Sequence, residues 1–519
     1  MTSAQFLKKY TYVDTPNISH VSALALEKQQ QNFSVQKYIT AIRTLSTERL
    51  GVLAEQKAIA MFRQAALFVP AYGDFLKKQK INPAKVRTGA DFGNVPPITK
   101  ENYLLRYPKS SLFWNGKLDG TTMLSVSSGS TGKPYYWPRS VFLEYDTALT
   151  HELIAETFFH LRHTPTLVID AYSMGMYVAG TFTLNSFRKL AKKGYPVTVV
   201  SPGIDVHEVL QIIKDIGADY KQIILAGYPP FVKDILDQGV KERVRWSRLN
   251  MKFIFGAENF SEEWRTNILH LVGIRNEHDM AVASMNTYGS ADCAVLGHET
   301  PLSITLRRAI HRKKLSKAVF GKDFPPTLVQ YNPLQRYFEK ANGHLVFTAH
   351  GGIPLIRYDI KDEGRLLSYK DLHTHVGFDT IPPSFLNPWK SLPFLALDGR
   401  SGNTVTLYGL NIYPESVKIA LEDKQVIHRV SGKFKLATKN DRKFNQYLEI
   451  TLELASAVAS LPALAKATIQ NTIVRQLRQL NFEYAKLYEK LGSRADPKII
   501  YVPRGTFQQI SSKHRWTTR

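Results

Sequence analysis

Four short apolar runs constrain the fold more than any other feature of the chain. TLVIDA (Thr166–Ala171), PVTVV (196–200), QIILAG (Gln222–Gly227) and KFIFGA (252–257) each read as a buried strand. Helical patterns lie between them at 181–193, 206–216 and 231–236. Asp205 with Glu208 three residues on marks one helix start, and Ser261 followed by Glu262 and Glu263 marks another, with acids where the helix dipole favours them. Strand and helix in alternation predict a doubly wound α/β core with a parallel sheet. In such sheets ligands gather beyond the carboxyl ends of the strands.

Upstream lies a loop of a different kind. SVSSGSTGKPYYW (125–137) opens with four serines, two glycines and a threonine in eight residues, followed by Lys133 and Pro134. Little side-chain bulk and many free N–H and O–H groups suit it to wrap a phosphate, although taken alone it also reads as a flexible Ser/Gly turn. It is not the P-loop of nucleotide hydrolases: two residues, not four, separate Gly129 from Gly132, and Pro134 follows the lysine. Tyr135, Tyr136 and Trp137 then favour a strand. No G-x-S-x-G and no G-x-G-x-x-G occurs, which argues against hydrolase and dinucleotide chemistry.

At 519 residues the chain exceeds one ordinary core, so at least two domains are expected. No apolar run reaches membrane-spanning length, and the first residues lack a signal-peptide core, so a cytoplasmic protein is expected. The single cysteine, Cys293, excludes an internal disulfide and reads as a packing residue. His160 and His163 read as a solvated helix end, not a metal site. A formal charge of +24 favours acidic partners. Its densest run, RRAIHRKKLSK (307–317), carries six Lys/Arg without interleaved aromatics, which disfavours nucleic acid and reads as a solvated basic loop.

The loop SSGSTGKP resembles the phosphate loop of the adenylate-forming superfamily, the acyl-CoA synthetases and adenylation domains, and its GKP ending is most similar to the phenylacetate–CoA ligase branch. Further resemblances follow in the family's order: FGAE (255–258), YGSAD (288–292), PLIRYDIKD (354–362), GRSGNTVTLYGLNIYP (399–414) and SSKHR (511–515). Residues 1–60 lie outside the resemblance; the stretches 23–31 and 36–50 read as helical, so an N-terminal helical extension is expected there, and from 302 to 369 the reading shifts towards β. The resemblance implies a large α/β domain with a β subdomain (61–398), and a small, mobile α+β domain (399–519) joined by a hinge at Gly402. It implies ATP and Mg²⁺ as cofactors. It also implies activation of a carboxylic acid to an acyl-adenylate, and transfer to a thiol of CoA or of an acidic phosphopantetheinyl carrier protein. It leaves room for a homodimer.

Residue by residue, the resemblance assigns Ser127, Ser128, Gly129, Ser130, Thr131, Gly132 and Lys133 to the phosphate cradle. Gly256, Ala257, Glu258, Tyr288, Gly289 and Ser290 go to the nucleoside edge, and Asp362 with Arg400 to the ribose. Asp292 stands where the family usually has a Glu that helps hold Mg²⁺; it is one methylene shorter, so the ion sits differently or binds through water. Lys513 is the C-terminal catalytic cation, and Tyr408, Gly409 and Asn411 border the thiol channel. The acid pocket is drawn from Tyr172, Met174, Met176, Phe255 and Ser284, whose character suggests an apolar or aromatic acid. Two alternatives remain: transfer of AMP or acyl to a non-thiol acceptor, as in coenzyme-F390-synthetase-like enzymes, and a non-catalytic nucleotide binder.

Overall fold

The computed structural model describes residues 2–11, 26, 28–29, 32–118, 121–127, 135–377, 381–387, 389–400, 405–455 and 461–507. Strand β1 (Thr121–Ser127) pairs antiparallel with β2 (Tyr135–Ser140), so the Ser/Gly loop connects a hairpin. Five strands then run parallel as neighbours: β3 (Thr166–Ala171), β4 (Val197–Val200), β5 (Gln222–Gly227), β6 (Met251–Gly256) and β7 (Ser284–Ser290), in spatial order β7-β6-β5-β3-β4. Helices Val178–Lys192, Val206–Ile216, Pro229–Lys241 and Glu262–Leu271 connect them, as the alternation of runs predicts. The expected caps form: Asp205 accepts from the N–H groups of His207 and Glu208, and Ser261 from that of Trp264.

Beyond β7 the sheet continues antiparallel with β8 (Ala294–His298), β9 (Thr327–Gln330), β10 (Tyr337–Ala341), β11 (His344–Ala349), β12 (Leu355–Leu367) and β13 (Phe394–Arg400), in spatial order β7-β8-β9-β13-β12-β11-β10, giving eleven strands in all. The mixed α/β class is as expected. Past residue 404 a short hairpin, β14 (Val405–Leu407) and β15 (Leu410–Ile412), precedes a three-stranded sheet of β16 (Val430–Asn440), β17 (Gln446–Leu454) and β18 (Lys498–Val502). Helices Ala463–Leu480 and Phe482–Leu491 lie between its last two strands in sequence.

Three local expectations are corrected. The helical stretch read over 36–50 breaks at Leu45, and Ser46 caps a new helix, Thr47–Phe68, by accepting from the N–H of Arg49. Residues 301–312 form a helix where the reading shifts to β. The basic run is not a solvated loop either: Arg307 and Arg308 are buried. They pair with Glu262 at 2.6 and 3.1 Å, and Arg308 also pairs with Glu277 at 2.8 Å. Arg265 sits in the same network between Glu262 and Glu299, both buried like itself. The acids that neutralise these arginines come from sequence-distant elements, so a local charge count reports exposure that the fold removes. Cys293 is buried and free, and burial pushes its thiol pKa up.

Candidate active site

One cleft of about 880 Å³ opens at the carboxyl ends of β6 and β7. Gly256, Ala257 and Glu258 line it from the end of β6, and Tyr288, Gly289, Ser290 and Asp292 from β7 and the turn after it. Gly256 admits no side chain: a Cβ there would lie 2.7 Å from Thr287 Oγ1 and 3.0 Å from the Tyr172 hydroxyl. Asp362, on β12, faces Arg400 on β13 in the strand register. The Tyr288 hydroxyl donates to Asp362 Oδ2 at 2.6 Å, so residues 74 positions apart form one polar pair on the cleft wall. Ser127, at the end of β1, lines the cleft too and accepts from Trp137 Nε1 at 3.1 Å across the hairpin.

Buried Arg139 ties this hairpin to the Asp292 turn. Its Nε donates to Ser125 Oγ at 2.9 Å, its Nη1 to the Asp292 carbonyl at 3.4 Å, and its Nη2 to the Ala291 carbonyl. Arg336 holds the next residues, donating to the carbonyls of Cys293 and Val295. Two buried guanidiniums therefore fix where the Asp292 carboxylate projects.

The C-terminal hairpin closes the cleft from the other side. Tyr408 and Gly409 form the two-residue turn between β14 and β15, both at positive φ (49° and 77°), the pattern of the tight turn that suits the twist of paired strands. A Cβ on Gly409 would meet the Tyr228 ring at 2.5 Å. The Gly409 N–H and the Gln446 amide both donate to the Glu258 carboxylate, and burial raises that carboxyl to about 7 despite these two bonds. Arg494 pairs with Asp234 at 2.6 Å, and the Tyr408 hydroxyl donates to the same Asp234 at 3.2 Å. Asn411 lines the cleft beside Gly409.

The acid-pocket set divides. Tyr172 lines the cleft and donates to the Ile254 carbonyl at 3.0 Å. Phe255 does not: its ring is buried against Phe253, Phe260 and Trp264 on the opposite face of β6. Ser284 is also buried away from the cleft, where its hydroxyl accepts from Arg265 Nη1 at 3.0 Å. Met174 and Met176 are not among the cleft's lining residues; Met174 Sδ accepts from Ser201 Oγ, and Met176 is exposed. Ser128, Gly129, Ser130, Thr131, Gly132, Lys133, Gly402 and Lys513 lie outside the described residues, and of Arg400 the backbone alone is described.

The cleft holds residues the motif reading missed. Asn286, two residues before Tyr288 on β7, donates to the Glu258 carbonyl at 2.9 Å, while its Oδ1 is a buried acceptor without a partner among the described residues. The period-2 alternation of a strand gives Asn286 and Tyr288 the same face, a signal the sequence does carry. Arg139, Tyr228 and His151 have no such local signal.

No family model matches the sequence, and no curated protein matches it. Solved structures do. The chain superposes on 2-hydroxyisobutyryl-CoA ligase, in complex with 2-HIB-AMP and CoA in the thioesterification state, with a TM-score of 0.60 at 14% identity, over 95% of this chain and 91% of that one. An open conformation of the same ligase gives 0.49 at 14% identity, over 95% and 94%. The o-succinylbenzoate CoA synthetase of Bacillus subtilis gives 0.41 at 14%, over 77% and 69%. The first of these shows that the chain has the fold of the adenylate-forming acyl-CoA ligases. Among the described residues no helix is long and apolar enough to cross a membrane.

Proposed function

We propose that the protein uses ATP to activate a carboxylic acid as an acyl-adenylate and then passes the acyl group to a thiol, as phenylacetate–CoA ligases do. The observation that carries this reading is the convergence on one cleft of Ser127, Gly256–Glu258, Tyr288–Asp292, Asp362 and Gly409, five segments far apart in sequence. In the first half-reaction an oxygen of the acid attacks the α-phosphorus, and the bond to the departing diphosphate breaks. In the second, thiolate sulfur attacks the acyl carbon, the acyl–oxygen bond breaks, and AMP leaves with that electron pair.

Asp362, oriented by Tyr288, accepts hydrogen bonds from the ribose hydroxyls, and Arg400 opposite it assists. Asn286 supports the nucleoside edge by donating to the Glu258 carbonyl. The Ser128–Lys133 loop holds the phosphates, and Lys513 meets charge developing on the acyl and α-phosphate oxygens. Such chemistry is mostly positioning and charge neutralisation.

Among the described residues no cluster of three or more His, Cys, Asp and Glu side chains forms a self-sufficient metal site. One carboxylate, Asp292, together with nucleotide oxygens and water, is the donor set a Mg²⁺ ion commonly takes, so the residues fit that ion. When bound it would neutralise phosphate charge. The thiol enters beside Gly409, Tyr408 and Asn411, and the observed contact of the hairpin tip with Tyr228 and Glu258 suits the transfer half. Residues 399–519 act as the small domain, turning about Gly402 between halves. The acceptor is CoA or a carrier protein.

ATP–pyrophosphate exchange against a panel of aromatic and aliphatic acids tests the reading. We expect exchange that depends on both Mg²⁺ and the acid. If no acid supports it, the enzyme reading fails.

A further inference from the structure

The helix Val141–Thr157 is buried almost all round, and its buried carboxylates are matched inside the protein. Asp146 pairs with Arg336 at 2.9 Å, Glu152 with Lys193 at 2.6 Å, and Glu156 with Arg162 at 2.5 Å. His151, one turn before Ala155 on this helix, is different. It is 5% exposed, its ring sits edge-on to Phe187, and it lines the cleft. Its Nδ1 lies 2.8 Å from the Thr147 carbonyl. A carbonyl only accepts, so Nδ1 carries the proton of the neutral ring and Nε2 carries a lone pair. Burial lowers the pKa of the ring and so favours that neutral form. Nε2 has no hydrogen-bond partner among the described residues.

Phe187 packs against the ring, the buried His298 interacts with it electrostatically, and part of the cleft's lining is apolar. Val178 and Phe182 line the same cleft from one helix, and Ile254 and Val295 from the sheet. Thr183 is the neighbouring exception. It is buried, it lines the cleft, and it stands one turn before Phe187, the ring that His151 contacts. A cavity wall of this kind takes an apolar body and offers it one strong acceptor. An empty acceptor facing such a body costs binding energy unless the guest brings a donor.

We propose that His151 is a specificity-determining residue whose Nε2 accepts a hydrogen bond from the tail of the acid, so that the preferred substrate is an apolar carboxylic acid carrying a hydroxyl group. Thr183 can donate to the same hydroxyl oxygen. A hydroxyl uses both contacts, a methyl ether only that from Thr183, and a hydrogen neither. The inference rests on the acyl-activation reading above.

The experiment compares matched acids in pyrophosphate exchange: the parent, hydroxy and methoxy forms of benzoate, phenylacetate and 3-phenylpropanoate, and of straight-chain acids. In at least one series the hydroxy acid should exceed both relatives in kcat/KM by about tenfold or more, because a polar site rejects guests that leave it unpaired. His151→Phe should collapse that ratio to within about twofold. The wild-type hydroxy–methoxy comparison needs no variant, so misfolding of His151→Phe does not spoil the test. If no acid turns over, the activation reading itself fails and this inference falls with it. If acids turn over with no hydroxyl preference in any series, or if the preference survives in a folded His151→Phe, the role of His151 is overturned while the activation reading stands.

Discussion

Asp362 is held for its task by a neighbour that the sequence places 74 positions away, and the 2.6 Å bond from the Tyr288 hydroxyl sets the orientation of its carboxylate. A carboxylate accepts charge-assisted bonds worth roughly 1.5–3 kcal/mol each. Asp362→Asn keeps the shape but loses the charge and one acceptor. We expect the KM for ATP in pyrophosphate exchange to rise about tenfold or more, with the KM for the acid little changed; an unaltered ATP requirement would remove Asp362 from the nucleotide site. The motif reading reaches this residue because its order along the chain is distinctive. It fails at Phe255 for a reason visible in the same strand: side chains alternate, so the face that carries Gly256 to the cleft also carries Ile254, and Phe255 points the other way with Phe253. Ser284 fails through distance, since it lies four residues before Tyr288, roughly 13 Å back along β7. Arg139 and His151 lie outside every motif, and nothing short of the packed fold marks them.

Among the elements, those that bury both faces were the most legible. The runs behind β3, β5 and β6 are mostly apolar and almost wholly buried, and local pattern is enough to place them, as it is for β4, a partly exposed strand at the sheet edge. The helix Pro301–Arg312 was not legible, because it buries Arg307 and Arg308 beside Leu302, Ile304, Leu306 and Ile310, which interrupts its apolar pattern with charge. Arg265, Arg307 and Arg308 share Glu262, and the first two also reach Glu299; this network supports β7, the strand that carries Tyr288, through Arg265 on Ser284 and Glu299 on the Asn286 N–H. Burial pushes the Glu262 carboxyl up, but the three guanidiniums pull it down further, leaving it at about 2. The unfolded chain therefore takes up this proton first as the pH falls. Stability from the network is fully present above about pH 4.5 and is lost on acidification towards 2. Arg265→Met leaves two buried carboxylates short of a partner and should cost about 3–5 kcal/mol in chemical denaturation. Its acid-unfolding midpoint should also move. A variant as stable as the parent at neutral pH would show that the network is dispensable.

For the whole molecule, the question is how the two proposed half-reactions would share one cleft. The proposed nucleotide edge is built on the eleven-stranded sheet, and the proposed thiol edge lies on the β14–β15 hairpin, docked through Glu258, Asp234 and Tyr228. The net charge of +24 suits anionic partners in either role, although Arg307 and Arg308 spend theirs internally. The two proposed halves should be separable at Gly409. A methyl group there would meet the Tyr228 ring, in a backbone conformation that alanine rarely adopts. The decisive measurement is a single turnover with ATP, Mg²⁺ and an accepted acid, followed by mass spectrometry of the nucleotide products before and after CoA is added. We expect an acyl-adenylate with pyrophosphate before the thiol, then AMP and acyl-CoA after it, with Gly409→Ala accumulating the adenylate and discharging it at least tenfold more slowly. Release of ADP, or an adenylate that Gly409→Ala discharges as fast as the wild type, would contradict it.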